Sequence, residues 1–337
     1  MKLANLQKFL QRECIDFALF IDEAYAKYFS GVSFEKGCLI VPANSLPLLL
    51  IPGFEAGRLE KFARVLVKKA KLWDDLKSIV SGKKCGVVSN NISYSIVQKL
   101  QDWNCSVVCI DEFCTRLRLT KTSEEIIQIR NACDLTDQIF KNVCDMLTND
   151  TSELEVANFI KNQINELGLE PSFSPIVASG KNAAVPHHIP TNKKLEGFTI
   201  VDFGVIYHNY CSDMTRTVFV GLPSEEEKKL YADVLDVQLK CISQARVGKN
   251  FDDIDDFAKE QLPLLVHRIG HSLGVEVHDV QGSPLILQEG MCVTIEPGSY
   301  SPGKFGIRIE DDLLITKSGA EVLTKSTKEL ICINKKI

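Results

Sequence analysis

Five side chains, Asp202, Asp213, His271, Glu296 and Glu310, form an oxygen-rich set of four carboxylates and one imidazole. Such donors suit manganese, cobalt, iron or zinc, whereas a thiolate-rich set selects other ions. Four carboxylates carry too much negative charge for one divalent ion. Two ions sharing carboxylates balance it better, and paired metals activate water for hydrolysis. As mere surface carboxylates these residues would sit among polar neighbours, yet Val201, Phe203, Ile295 and Ile309 flank them.

The carboxylates must be brought together by their elements. The stretch 201–217 has apolar and aromatic residues on both sides of a turn-like middle, which predicts a β-hairpin. A turn centred near Tyr207-His208 sets Asp202 directly opposite Asp213. The stretch 294–310 folds back around the Pro302-Gly303 signal and sets Glu296 opposite Glu310. Facing like charges weaken a strand ladder, and burial makes this worse. A bound cation removes the objection, so the two hairpins read as two halves of one metal site.

All six histidines lie in or near these stretches: His187, His188, His208, His267, His271 and His278. A single histidine on an apolar face is usually structural. Three within 267–278, flanked by glycines that permit close backbone approach, point instead to rings aimed inward.

These residues carry a family resemblance. Val201-Asp202-Phe203-Gly204, Tyr210–Thr217, Gly270–Gly274, Val277-His278-Asp279, Thr294–Gly298, Gly306–Asp311 and Ile176–Gly180 with Pro186-His187 resemble the pita-bread metallopeptidases in order and spacing. That family includes methionine aminopeptidase, Xaa-Pro dipeptidase (prolidase) and Xaa-Pro aminopeptidase. The resemblance spans about 170 to 312. The region before it is similar, in a short form, to the creatinase-type N-terminal domain of the proline-specific branch. Its presence favours Xaa-Pro chemistry over methionine removal.

The resemblance implies an α/β (α+β) chain, with a creatinase-like domain at 1–117 and a pita-bread catalytic domain at 118–337. It implies that Asp202 binds one metal, His271 and Glu296 the other, and that Asp213 and Glu310 bridge both. A hydroxide between the ions is then the nucleophile, with Glu296 taking its proton. His187 and His278 hold the substrate carbonyl, and His267, Tyr300 and Arg308 match substrate-pocket or supporting positions. Arg308 lies two residues from Glu310, hence on the same strand face, where it can orient a carboxylate. The implied cofactor is a pair of divalent ions, manganese first, with cobalt, zinc or iron as alternatives. The implied substrate is a proline-containing peptide, cleaved by an exopeptidase that is a homodimer. Two departures stand out: Asp279 follows His278 where many prolidases have Glu, and Gln261–Val266 is shortened.

Two rivals remain. Creatine amidinohydrolase shares the fold but works without metal and lacks this ligand set. Non-catalytic relatives that act as protein-binding modules lose ligands, and here all five are kept. The metal content of the purified protein separates both from the peptidase.

Length and composition fit this frame. The chain has 337 residues, 45% hydrophobic and 25% charged, with a net charge of −5 and no long basic run, which disfavours nucleic acid or an anionic membrane as partner. Met1–Lys8 has no long apolar core, so no signal peptide is expected, and no run reaches membrane-spanning length. Twelve cysteines without a Cys-x-x-Cys pair, mostly in apolar runs, predict reduced thiols in a cytoplasmic protein. The first 115 or so residues alternate helical and strand-like segments, including an expected helix over Arg58–Ala70, and carry no catalytic constellation. A boundary is expected near Cys114–Leu119. Thr122 and Glu125 then fit a capping box opening a long helix, and further helices are expected at Ser152–Leu167, Ser224–Ala245 and Phe251–Leu262.

Overall fold

Apolar residues on both faces of Phe17–Phe20 demand a central strand covered on both sides. In the computed structural model, which describes residues 2–280 and 284–334, that strand (β1) lies inside a six-stranded sheet. The other strands are β2 (Cys38–Pro42), β3 (Leu48–Ile51), β4 (Leu66–Lys69), β5 (Lys84–Val87) and β6 (Ser106–Cys109), in the order β4-β3-β2-β1-β5-β6. Ala18 and Phe20 pack on one face with Leu6, Leu10 and Phe29; Phe17 and Leu19 pack on the other with Leu76, Val80 and Leu100. The covering helices are α1 (Lys2–Arg12), α2 (Glu23–Ser30), α3 (Gly53–Leu59), α4 (Leu72–Val80), α5 (Tyr94–Asp102) and α6 (Asp111–Leu119).

The expected helix over Arg58–Ala70 is not formed as such. Helix α3 ends at Leu59, and Leu66–Lys69 is a strand pairing in parallel with β3, Leu48 against Leu66. Lys68 and Lys69 thus belong to a sheet edge, where charged side chains discourage further pairing.

The chain divides into two compact units, Met1–Leu117 and Arg118–Ile337, and the division falls within α6. The second unit opens with α7 (Ser123–Met146), whose capping box of Thr122 and Glu125 is formed, and α8 (Glu153–Glu166). There follow β7 (Glu170–Pro171), β8 (Ile176–Ser179), β9 (Gly197–Phe203), β10 (Val205–Tyr207), β11 (Tyr210–Cys211) and β12 (Met214–Val220). Helices α9 (Glu225–Gln244) and α10 (Phe251–Gln261) precede β13 (Cys292–Ile295), β14 (Gly298–Ser301), β15 (Phe305–Arg308), β16 (Asp311–Thr316), β17 (Gly319–Val322) and β18 (Cys332–Ile333).

Period-two alternation assigns each strand face. On β9 and β12, Val201, Phe203, Met214 and Val218 pack with Ile139, Phe140, Val156 and Ile160 of α7 and α8. The opposite face carries Asp202 and Thr215. Farther along, Ile295, Ile307, Ile309 and Leu313 pack with Val234, Val237, Ile254 and Ala258 of α9 and α10. The opposite face carries Glu296, Arg308, Glu310 and Asp312. Each half of the carboxylate set is therefore presented from a strand pair whose back is buried under two helices. Among the described residues, no helix is long and apolar enough to cross a membrane.

Candidate metal centre

The first hairpin turns one residue later than its sequence suggests. Tyr207 pairs with Tyr210, and His208 and Asn209 form the turn with φ of 45° and 73°. Two successive positive-φ residues define the tight turn whose twist matches a hairpin. Asp202 consequently faces Thr215, not Asp213. Since Asp213 is two residues from Thr215, it remains on the face of Asp202 as a diagonal neighbour. The second hairpin keeps the expected facing. Ile295 pairs with Asp311 on one side and Gly298 with Arg308 on the other, a continuous register that brackets Glu296 and Glu310.

Ligand atoms of Asp213, His271 and Glu310 all lie within 4.8 Å of one another. His271 Nε2 stands 3.5 Å from Asp213 Oδ2 and 3.6 Å from Glu296 Oε1. Its Nδ1–H donates to the Ser272 carbonyl at 3.2 Å, which leaves the Nε2 lone pair facing the carboxylates. Gly270 allows this approach, because a Cβ there would lie 2.1 Å from the Thr294 carbonyl oxygen. Asp202 and Glu296 lie outside that three-residue cluster but line the same cavity of about 420 Å³, together with His187, His267, His278 and Arg308. Phe173, Ile176, Pro186 and Val277 give the cavity an apolar wall.

The electrostatics of these groups favour a cation. Burial, then Asp202, Asp312 and Glu296, push Asp213 well above the usual carboxylate range. Burial, then Asp213, Glu296 and Asp202, do the same to Glu310. Glu296 is also raised by burial, against the pull of His271 and Arg308. Asp202 Oδ1 and Asp213 Oδ1 are buried without a hydrogen-bond partner. Crowded carboxylates with orphaned oxygens, facing an imidazole lone pair, fit a bound divalent metal.

The remaining oxygens are held by specific donors. Arg308 is 3% exposed and donates from Nη2 to Asp202 Oδ2 at 2.6 Å, from Nε to Thr215 Oγ1 at 3.0 Å and from Nη1 to the Tyr300 hydroxyl at 2.8 Å. Thr215 Oγ1 in turn donates to Glu310 Oε2 at 2.7 Å. One guanidinium thus orients Asp202 directly and Glu310 through a hydroxyl. His267 Nδ1–H donates to the Arg268 carbonyl, so its Nε2 accepts from Tyr300 at 2.8 Å. Burial lowers His267 to about 4 and raises Tyr300 to about 12, so both enter neutral near pH 7.

Supporting groups beyond the expected set complete the frame. Asp312 Oδ2 accepts the Asp213 backbone N–H at 2.9 Å. Asp279, beside His278, is clamped by Arg118, whose Nε lies at 3.1 Å, and by Lys121 Nζ at 3.1 Å. Burial opposes ionisation of Asp279, but Lys121 and Arg118 hold it below the usual carboxylate range. Thr215 and Asp312 could have been found from sequence, each lying two residues from a ligand on the same face. Arg118 could not, since 161 residues separate it from Asp279.

The three side chains of this clamp are almost fully buried. Asp279→Ala removes the buried carboxylate that Arg118 and Lys121 share, Arg118 keeping Glu276 at 2.6 Å, and breaking a buried pair on one side costs about 3–5 kcal/mol. The unfolding free energy in denaturant should fall by that order. An unchanged midpoint would mean that the clamp contributes no net stability.

The comparisons with known proteins agree with this geometry. Residues 2–120 match the creatinase/prolidase N-terminal domain, and residues 127–317 match metallopeptidase family M24. The chain is 32% identical to the Xaa-Pro dipeptidase of Pyrococcus furiosus, over 98% of this chain and 99% of that protein. The prolidase structure from Pyrococcus horikoshii OT3 superposes with a TM-score of 0.91 at 31% identity, covering 98% and 99% of the two chains. The X-Pro aminopeptidase structure from Thermotoga maritima gives 0.92 at 27% identity, with the same coverage. The fold class is therefore the mixed α/β one, a small creatinase-like domain ahead of a pita-bread catalytic domain. A family match over most of the second unit, and a relative aligned along nearly the whole chain, establish that this protein belongs to metallopeptidase family M24.

Proposed function

We propose that the cavity binds two divalent ions, with Asp202 on one, His271 and Glu296 on the other, and Asp213 and Glu310 shared. In that reading the protein is a metal-dependent exopeptidase acting on the Xaa-Pro bond. The observation that carries it is the cluster of Asp213, His271 and Glu310, with ligand atoms within 4.8 Å of one another. Two further carboxylates, Asp202 and Glu296, line the same cavity. When bound, such metals polarise a peptide carbonyl and make water nucleophilic near neutral pH.

The protein's own residues supply the rest. Glu296 can take the proton from the attacking water and return it to the departing proline nitrogen. His278 and His187 line the cavity and can donate to the oxygen of the tetrahedral intermediate. Arg308 keeps Asp202 in place. The apolar wall of Phe173, Ile176, Pro186 and Val277 suits an uncharged substrate side chain or the proline ring. We also propose manganese as the metal, a homodimer as the working form, and a cytoplasmic location, the last supported by the eight buried thiols among twelve.

Elemental analysis after loading should approach two metals per chain, and the loaded protein should cleave Xaa-Pro and Xaa-Pro-Xaa peptides while sparing alanine counterparts. Metal binding should raise the melting temperature. A ligand at one hundred times its Kd stabilises by about 2.7 kcal/mol, and chelation should reverse the gain. A protein that stays metal-free under saturating manganese, cobalt and zinc would end this reading.

A further inference from the structure

Glu153, the first residue of α8, is fully buried and belongs to none of the groups above. Its carboxylate is saturated with donors. Oε1 accepts from the Ser179 backbone N–H at 2.8 Å and from Asn182 Nδ2 at 2.9 Å. Oε2 accepts from the Thr191 backbone N–H at 3.0 Å, from Thr191 Oγ1 at 2.7 Å and from His188 Nε2 at 2.9 Å. Backbone bonds reinforce the tie: Glu153 N donates to the Lys193 carbonyl, and Leu154 N to that of Thr191. Burial alone would raise Glu153, but the Thr191, His188, Asn182 and Ser179 bonds outweigh it and hold the carboxyl below its usual range. Its place at a helix N-terminus favours the same ionised form.

These donors come from both ends and the middle of one segment, 179–191, and that segment carries His187 to the cavity. The chain turns at this point, His188 N donating to the Val185 carbonyl at 3.1 Å. Of two adjacent histidines, His188 is turned inward onto Glu153 and His187 lines the cavity. On its other side the segment packs against β15, where Gly306 leaves room for the Ala183 carbonyl that a Cβ would strike at 1.8 Å.

We propose that Glu153 is a positioning residue for catalysis: by gripping Ser179, Asn182, His188 and Thr191 it fixes the 179–191 segment so that His187 meets the substrate carbonyl. The proposal rests on the reading that His187 contacts the substrate. Misplacing a reacting group by about 1 Å can cost on the order of 10²-fold. In Glu153→Gln one oxygen becomes an N–H₂ group, which meets either the Thr191 and His188 donors or the Ser179 and Asn182 donors. That variant should lower kcat about 10- to 100-fold while KM and metal content hold, because the metal-binding residues are untouched.

The test is a double-mutant cycle with His187→Ala. Acting through His187, Glu153→Gln should cost no more than about twofold in the His187→Ala background. Thr191→Val, which removes one of the five bonds, serves if Glu153→Gln does not fold; it should show a smaller loss that also vanishes in that background. A loss that persists undiminished beside His187→Ala, or that tracks metal content, overturns the proposal while leaving the role of His187 intact. A wild-type kcat in His187→Ala alone removes that role, and the positioning role with it.

Discussion

Asp213→Ala and Glu310→Ala will each abolish peptidase activity and lower metal content at both positions, whereas Asp202→Ala will deplete mainly one. The expectation comes from where the three carboxylates stand. Asp213 and Glu310 share a compact cluster with His271, while Asp202 joins the cavity from the diagonal position on the first hairpin and is already held by Arg308. Metal polarisation is worth several kcal/mol of transition-state stabilisation, so its loss corresponds to a fall in kcat/KM on the order of 10³-fold or more. The stability readout runs the other way. Asp213 is buried, its Oδ1 has no partner, and Asp202, Asp312 and Glu296 repel its charge. Without metal, Asp213→Asn should therefore melt no lower than the parent, yet gain far less from added manganese. A variant of Asp213 or Glu310 that retained two metals per chain would remove the shared-ligand assignment.

The parts of this centre that were legible in the sequence are those fixed by local pairing. Pro302-Gly303 sets the turn of the second hairpin, and the facing of Glu296 and Glu310 follows from counting outward. The first hairpin was harder because Tyr207, His208, Asn209 and Tyr210 contain neither Gly nor Pro, and the turn falls on His208-Asn209. A turn one residue later sets Asp202 opposite Thr215 in place of Asp213 and preserves the shared face, because the pairing shifts by two residues. The sequence reads as one helix over Arg58–Ala70, but α3 ends at Leu59, and Leu66-Val67-Lys68-Lys69 becomes a strand only through pairing with β3. The supports at Arg118 and Glu153 depend on contacts with Asp279 and with segment 179–191, which no local pattern encodes.

His278→Ala and His187→Ala will lower kcat strongly while leaving metal stoichiometry near that of the parent. Both line the cavity, and neither is among the five residues proposed to hold metal. The His278 ring meets that of His271 edge-on, with centroids 4.3 Å apart and planes at 90°, so it borders the cluster. Burial, then His271 and His187, lower its affinity for a proton, and a neutral imidazole keeps one N–H to donate. A donor aimed at a developing oxyanion strengthens as charge builds on the oxygen, so it acts on the transition state more than on the bound substrate. Removing one such donor typically costs on the order of 10²–10³ in turnover. The loss should appear in kcat, with KM little changed, for peptides with proline in the second position. Steady-state kinetics and elemental analysis on the same preparations decide the matter. Loss of a metal in either variant would make that histidine a ligand, and an unchanged kcat would exclude it from the reaction.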